Sequence, residues 1–474
     1  MLNRMIRAET FFPWIDWSRR FLAVGFAFGL LLILLLAWKA PSVLLFVPLI
    51  LFGTVIVWQL LKYPTLNLFV LLASFSIVSN TQEGLQATEA VYGVYYFFSM
   101  AYWILLHWFK REKIIETQID FVYTFFLVWV SVSIFQTILF GGDLKGYFSE
   151  MIALAFLFVY FPVKELCSKH EKSPQILIGV FLLQGLFVAI RSIINYREII
   201  VNAQFDWQLE KGRIVMNEQL LLISSLVCLI LFIFQTDWKW KLGNLIGFFL
   251  FLGSLILTQS RGYWVDFAFG AFILFWLLNW KQKMQLIGTA SFALAIFSLL
   301  GIIFFGELFY TILNGLIDRL LSLGTATTSD ISLINRFIES NAVWEKIIRN
   351  PIVGYGTGVP YAVYDITFGF TQIDTFVHNG FYGIWYKFGI IGLGFLVYIW
   401  GKSIWSLLSE WLKVPFQTRG TVKNLSVLMV AISLTSLLPS ATTSNLFFLK
   451  DGIMTFALLI GGATGLMQKM NGDE

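Results

Sequence analysis

Hydrophobic residues along this chain come in long uninterrupted runs, not in the short alternating units of a half-buried sheet. Each run approaches the roughly 20 residues, about 30 Å at about 1.5 Å per residue, that carry a helix across a bilayer's hydrocarbon. Membrane strands would alternate apolar and polar residues in shorter segments. The runs predict helical spans near 21–38, 42–60, 64–78, 92–109, 120–140, 147–163, 174–192, 217–235, 243–258, 263–280, 284–305, 380–400, 424–439 and 451–467. The expected fold class is an all-α integral membrane protein, a polytopic helical bundle of about 14 spans (12–14), forming a single membrane domain over 1–474.

Two connections interrupt this rhythm. One covers 193–216, and the other is the much longer 306–379. A connection of the second length carries function or structure of its own. Within it, Ile334, Phe337, Ile338, Trp344, Ile347 and Ile348 recur at helical spacing, opposed by Asn335, Arg336, Glu339, Ser340 and Lys346. That pattern predicts an amphipathic helix over 331–349, lying along a membrane boundary or over a cavity mouth. Asn350-Pro351 ends it, and Gly354, Gly356 and Gly358 provide a permissive turn.

The positive charges orient the bundle. With the N-terminus inside, 20 of the 33 Lys and Arg residues fall in short inner connections or beside them, among them Arg4, Arg19, Lys62, Lys110, Lys164, Lys239, Lys281 and Lys402. The positive-inside rule then puts both termini in the cytoplasm and both long connections outside. Arg4 to Arg20 precede a first apolar run without a small-residue cleavage site, so that run reads as an uncleaved anchor.

Composition narrows the function classes. AVILMFWYC residues make up 58% of the chain and charged residues 13%, which excludes a soluble enzyme and a nucleic-acid binder. Two cysteines, Cys167 and Cys228, make neither a disulfide framework nor a thiolate metal set. No cofactor is implied, and one outer histidine without clustered carboxylates is a poor metal ligand set.

The candidate chemistry lies on the outer side. Of three histidines, His107 and His170 fall toward the inside, and only His378 stands outside, where the long connection enters a helix. Arg213 precedes a span, Arg261 occupies a very short outer turn, and Arg336 lies on the amphipathic helix. Each arginine alone is compatible with snorkelling to lipid phosphates, and Asp266 is an alternative partner for Arg261. Lys387 suits a polar seam inside the bundle. Gathered on one face, guanidiniums bind phosphate oxygens bidentately, and an imidazole accepts a proton from an attacking hydroxyl. That set suits transfer of a group from a membrane-embedded lipid diphosphate to an alcohol. Asp374 is near enough in sequence to orient His378.

Two stretches resemble the bacterial O-antigen ligase and polymerase family. One is LTQSRGYWVDFAFGAFILF, residues 257–275, similar to the family's Ser-Arg-Gly signature. The other runs from Arg336 and Trp344 through Asn350, Pro351, Gly354 and Gly356 to His378, Asn379, Gly389 and Gly392. Arg213 and Asn217 match a third element, which here lacks a glycine between them. The resemblance, strongest over about 210–400, implies the architecture of multi-spanning lipid-dependent glycosyltransferases and an inner-membrane enzyme with a periplasmic active site. Its donor would be a glycan on undecaprenyl diphosphate. Its acceptor would be a lipid A-core sugar hydroxyl for a ligase, or a second lipid-linked glycan for a polymerase. Carried over, His378 is the general base and Arg261, Arg213 and Arg336 hold diphosphate or substrate. Asp374, Asn379 and Asp266 have orienting or supporting roles, and the reaction is metal-independent and inverting. A lipid or polysaccharide transporter or flippase is the alternative of another class.

Overall fold

In the computed structural model the hydrophobic runs become helices close to where their lengths predict them. The structure describes residues 53, 55–57, 59–78, 87–202, 204, 217–306, 310, 313–315, 317–318, 321 and 331–472. The expected span at 21–38, most of that at 42–60, and Arg213 lie outside the described residues. By internal contacts the chain divides into Met1–Asn67 and Leu68–Glu474, and the architecture that follows is that of the second unit.

The chain passes through α1 (Pro64–Val78), α2 (Ala87–Lys110), α3 (Gln118–Leu139), α4 (Leu144–Leu154), a 3-10 turn at Ala155–Val159, and α5 (Tyr160–Lys169). It continues through α6 (Ser173–Asn202), α7 (Glu218–Phe234), α8 (Trp238–Leu257), α9 (Arg261–Leu277) and α10 (Trp280–Phe305). Then come α11 (Ile331–Arg349), strands β1 (Tyr361–Asp365) and β2 (Phe370–Asp374), α12 (Gly380–Lys413), α13 (Val422–Ser436), α14 (Leu438–Thr443) and α15 (Lys450–Gly472). Among the described residues, eight helical stretches are long and apolar enough to cross a membrane, and α1 and α7 are shorter apolar helices. The protein is an all-α, multi-pass membrane protein.

Local chemistry sets the helix ends. Thr117 and Asp120 form a reciprocal capping box at the start of α3, and Asn279 with Gln282 does the same for α10. Each box satisfies two backbone N–H groups that the first helical turn leaves without partners. Asp120 is also the centre of a buried knot, accepting from Lys164 Nζ at 2.7 Å and from the Tyr160 hydroxyl at 2.5 Å. This ties α3 to α5 at the end of the bundle away from the features below, since an unpaired charge in an apolar interior is expensive. α13 and α15 are the most enclosed spans, whereas α10 lies almost wholly at the surface.

Four expectations change. α6 runs to Asn202, so the first ten residues of the connection at 193–216 are helix. The span at 424–439 is two helices meeting at Leu437, with Pro439 in the first turn of α14. The span at 147–163 is α4, the 3-10 turn and α5 in sequence. The long connection contains, besides the expected amphipathic helix, an antiparallel hairpin with Tyr361 opposite Asp374 and Asp365 opposite Phe370. β1 has an alternating burial pattern, but the hairpin is too short to stand out against the hydrophobic background.

Candidate active site

The site is built on α11 and on the first turns of α12, which the glycine-rich segment 350–358 joins. α12 is broken at Gly389, whose φ of 68° lies in the left-handed region. In a continuous helix Ile390 N–H would donate to the Tyr386 carbonyl; here it donates to Pro351 O at 2.8 Å. The carbonyls of Tyr386 and Lys387, left without helical donors, accept from the N–H groups of Tyr355 and Gly356, each at 2.8 Å. The loop thus completes the hydrogen bonding of the broken helix, as an enclosed polar backbone requires. Only glycine suits position 389, because a Cβ there would lie 2.0 Å from the Ile352 carbonyl oxygen. On its other side the loop reaches α3, where the Thr137 hydroxyl donates to Thr357 O at 2.7 Å. Lys387 is buried and ion-paired with Glu150 of α4, whose other oxygen accepts from Gly358 N–H at 3.2 Å. Lys387 therefore belongs to the polar seam that fixes this loop.

His378 stands just before α12, and Asn379 caps that helix by accepting from Tyr382 N–H at 3.0 Å. The partner of the imidazole comes from α11. Glu339 accepts from His378 backbone N–H with Oε1 at 2.6 Å, and its Oε2 lies 2.6 Å from Nδ1. A carboxylate can only accept, so Nδ1 carries the proton and Nε2 presents its lone pair elsewhere. Glu339 is nearly enclosed, with 10% of its side chain exposed, while 43% of the His378 side chain faces open space. An enclosed carboxylate on Nδ1 fixes the orientation of an accessible imidazole.

The orienting role that the sequence suggested for Asp374 is therefore not supported. Asp374 turns its carboxylate onto its own chain, accepting from the N–H groups of Thr375 and Phe376 at 2.6 and 2.9 Å. Nearby, burial first and then the Glu339 and Asp374 carboxylates push the Tyr361 hydroxyl well above its ordinary pKa. It stays protonated and donates to Phe376 O at 2.6 Å, bracing the segment that carries His378.

The amphipathic helix is also turned differently from the expected division into faces. Glu339, expected on the polar side, points inward with Val343 and Ile347, while Phe337 and Ile348 of the apolar side are more than half exposed. Leu333, Arg336, Phe337, Ser340, Asn341 and Trp344, at the i, i+3, i+4 repeat of one helical stripe, face a cleft of about 400 Å³. His378, Asn379 and Tyr382 form its second wall, and Thr442 and Thr443 close one end. Arg336 donates from Nη1 to the Thr443 carbonyl at 2.7 Å.

Arg261 is the first residue of α9, after a turn in which Gln259 adopts a φ of 52°. Ser260 holds that turn to α7 through Glu218 at 2.8 Å. The next residue, Gly262, lies against Thr443, where an added Cβ would stand 3.5 Å from Oγ1. The end of α14 thus touches both Gly262 of the Ser-Arg-Gly turn and Arg336, and of the three expected arginines Arg336 is the one that lines the cleft with His378. Asp266 has a different role from the expected arginine partner: its Oδ1 accepts from Ser440 N–H at 2.8 Å and pins α14 to α9. Arg191 of α6 was not singled out by the sequence. With the Asn217 amide oriented to satisfy both neighbours, the amide accepts from Arg191 Nη2 at 3.2 Å and donates to Asp451 at 2.8 Å.

A separate grouping sits at the opposite end of α3. His107 Nε2 lies 3.4 Å from Glu112 and 3.1 Å from Glu165, ligand types that suit a divalent cation. Lys169 already bridges the two carboxylates at 3.1 and 2.9 Å and supplies positive charge there.

Residues 246–397 match the family model described as O-antigen ligase. The matched segment runs from α8 into α12 and contains Arg261, Arg336, Glu339 and His378. A curated relative, the O-antigen ligase of Salmonella typhimurium strain LT2, is 31% identical over 182 residues, which cover 36% of this chain and 42% of the relative. Over this segment the chain is similar to the O-antigen ligase family. It spans less than half the length of this curated family member. Within the matched segment, the His-Asn pair lines the cleft, the Ser-Arg-Gly turn meets Thr443 at its edge, and the Asn-Pro-x-x-Gly-x-Gly loop docks on the broken helix behind it.

Proposed function

We propose that this protein is a lipid-diphosphate-dependent glycosyltransferase of the O-antigen ligase type, working on the periplasmic face of the bacterial inner membrane. It moves a glycan from undecaprenyl diphosphate to a sugar hydroxyl of lipid A-core. The observation that carries this reading is the Glu339–His378 pair, which opens onto a cleft that Arg336 also lines. Nε2 of His378 takes the proton of the acceptor hydroxyl as its oxygen attacks the anomeric carbon of the donor sugar. The bond from that carbon to the diphosphate oxygen breaks, and undecaprenyl diphosphate leaves with the electron pair. Direct displacement of this kind inverts the anomeric centre. Arg261 and Arg336, with Arg213, neutralise the charge that grows on the leaving group, so the counter-charge comes from side chains and no metal is needed. Glu339 keeps the Nδ1 proton in place and stabilises the imidazolium that forms.

Reconstitution with a labelled undecaprenyl-diphosphate glycan and lipid A-core tests this. His378→Ala should abolish transfer while leaving donor binding and membrane insertion intact. Full activity in that variant removes His378 from the mechanism. Joining of two lipid-linked glycans, with lipid A-core left unused, would instead identify a polymerase.

A further inference from the structure

We propose that Trp344 and Tyr382 form the binding platform for the acceptor sugar, which gives the cleft a direction: diphosphate at the Arg336–Thr443 end, acceptor glycan at the Trp344 end. This rests on the transferase reading above. The order of residues along α11 supplies the direction. Glu339, which holds His378, is three residues from Arg336 and five from Trp344. At about 1.5 Å per residue these are axial separations of roughly 4.5 Å and 7.5 Å on opposite sides of the base. A hydroxyl taken up by His378 therefore arrives from a sugar lying toward Trp344, while the leaving group is held toward Arg336.

The lining at the Trp344 end fits a sugar ring. The Trp344 and Tyr382 rings are nearly parallel, at 25°, with centroids 5.8 Å apart, and 38% of Trp344 remains exposed. A pyranose has a face of weakly polarised C–H groups and an edge of hydroxyls. The C–H face packs on the electron-rich face of an aromatic ring, as cations do more strongly. Ser340 and Asn341, four and three residues before Trp344 and so one turn from it on the same stripe, offer donors and acceptors to the hydroxyl edge. Arg336 is the cleft-lining residue that carries a fixed charge, and it lies at the other end, so the platform half suits an uncharged ring. The platform is also held in place before any ligand arrives. Trp385 packs edge-on against Trp344 with centroids 5.4 Å apart, and its Nε1–H donates to Pro351 O at 3.0 Å. A side chain already fixed in its bound position loses little entropy on binding.

Two measurements on the full chain in nanodiscs test the proposal. In the first, oligosaccharide released from lipid A-core serves as a soluble probe for saturation-transfer NMR. Wild type should transfer saturation to it, and Trp344→Ala should lose the signal. In the second, steady-state transfer is followed with donor and acceptor varied separately. Trp344→Ala should raise the acceptor KM by about tenfold, the scale of one aromatic contact, with donor affinity unchanged. Trp344→Phe, which keeps a ring and the packing against Trp385, should fall between the two. Loss of donor affinity with an unaltered acceptor KM would overturn the assignment, as would a wild-type protein that gives no saturation transfer to the probe. Binding of the probe through Trp344 without any glycosyl transfer would uphold the platform and defeat the transferase reading instead.

Discussion

Glu339→Gln is the sharpest perturbation of this site, because the change is nearly isosteric and its consequence follows from counting hydrogen-bond partners. Glu339 accepts two hydrogen bonds with two oxygens, one from His378 backbone N–H and one from Nδ1–H. Glutamine offers one oxygen and one NH2. The backbone N–H can only donate, so it claims the amide oxygen. The NH2 then faces Nδ1, which can accept only if the ring proton moves to Nε2. The imidazole is left in the tautomer that cannot take a proton from the acceptor. In a Ser-His-Asp triad the same carboxylate-to-amide change lowers turnover by about 10⁴. Losing only the charge-assisted bond, about 1.5–3 kcal/mol, sets a floor of roughly 10- to 100-fold at 1.36 kcal/mol per tenfold. Because 43% of the His378 side chain is open, water relieves part of the tautomer preference, and a fall of about 10²–10³ in kcat is expected. The assay is steady-state transfer by the reconstituted protein, with acceptor and donor affinities measured alongside and Glu339→Asp as the charge-retaining comparison. Both affinities should stay near wild type, and Glu339→Asp should recover part of the rate. A Glu339→Gln protein within about threefold of wild-type kcat would refute the assignment of Nε2 as the base.

The remaining predictions concern the surroundings of the dyad. Arg261→Ala should weaken donor binding by about 10- to 100-fold, the value of a charged hydrogen bond, with acceptor affinity unchanged; equal donor affinity would mean that Arg261 serves the lipid headgroups instead. Lys387→Met alone should destabilise the protein by about 3 kcal/mol by leaving the half-buried Glu150 without its cation, and Lys387→Met with Glu150→Leu should recover most of that loss in a thermal melt. Gly389→Ala should reduce folded yield more than Gly394→Ala does: its Cβ meets the Ile352 carbonyl oxygen at 2.0 Å, whereas a Cβ at Gly394 meets nothing within 4 Å. Equal melting of the two glycine variants would argue against the docked loop.

Much of this protein could be read directly along the chain. The lengths of the apolar runs, the bias of lysine and arginine to alternate connections, the amphipathic helix at 331–349, and the isolation of His378, Arg261 and Arg336 amid apolar residues are all local or one-dimensional properties. Bilayer thickness converts the first into helices, and the positive-inside rule turns the second into an expected orientation. What the tertiary structure alone decided is pairing across distance. Nothing in the sequence distinguishes Glu339, 39 residues from His378, from the nearer Asp374, because the choice depends on how α11 is rotated against the start of α12. Nor does it reveal that Gly389 breaks its helix so that Pro351, Tyr355 and Gly356 can take over its hydrogen bonds, or that the end of α14 meets both Arg336 and Gly262. An apolar period tells a helix which face to bury, but which polar groups then meet is settled by satisfying every enclosed donor and acceptor together, and that condition exists only once the elements are packed.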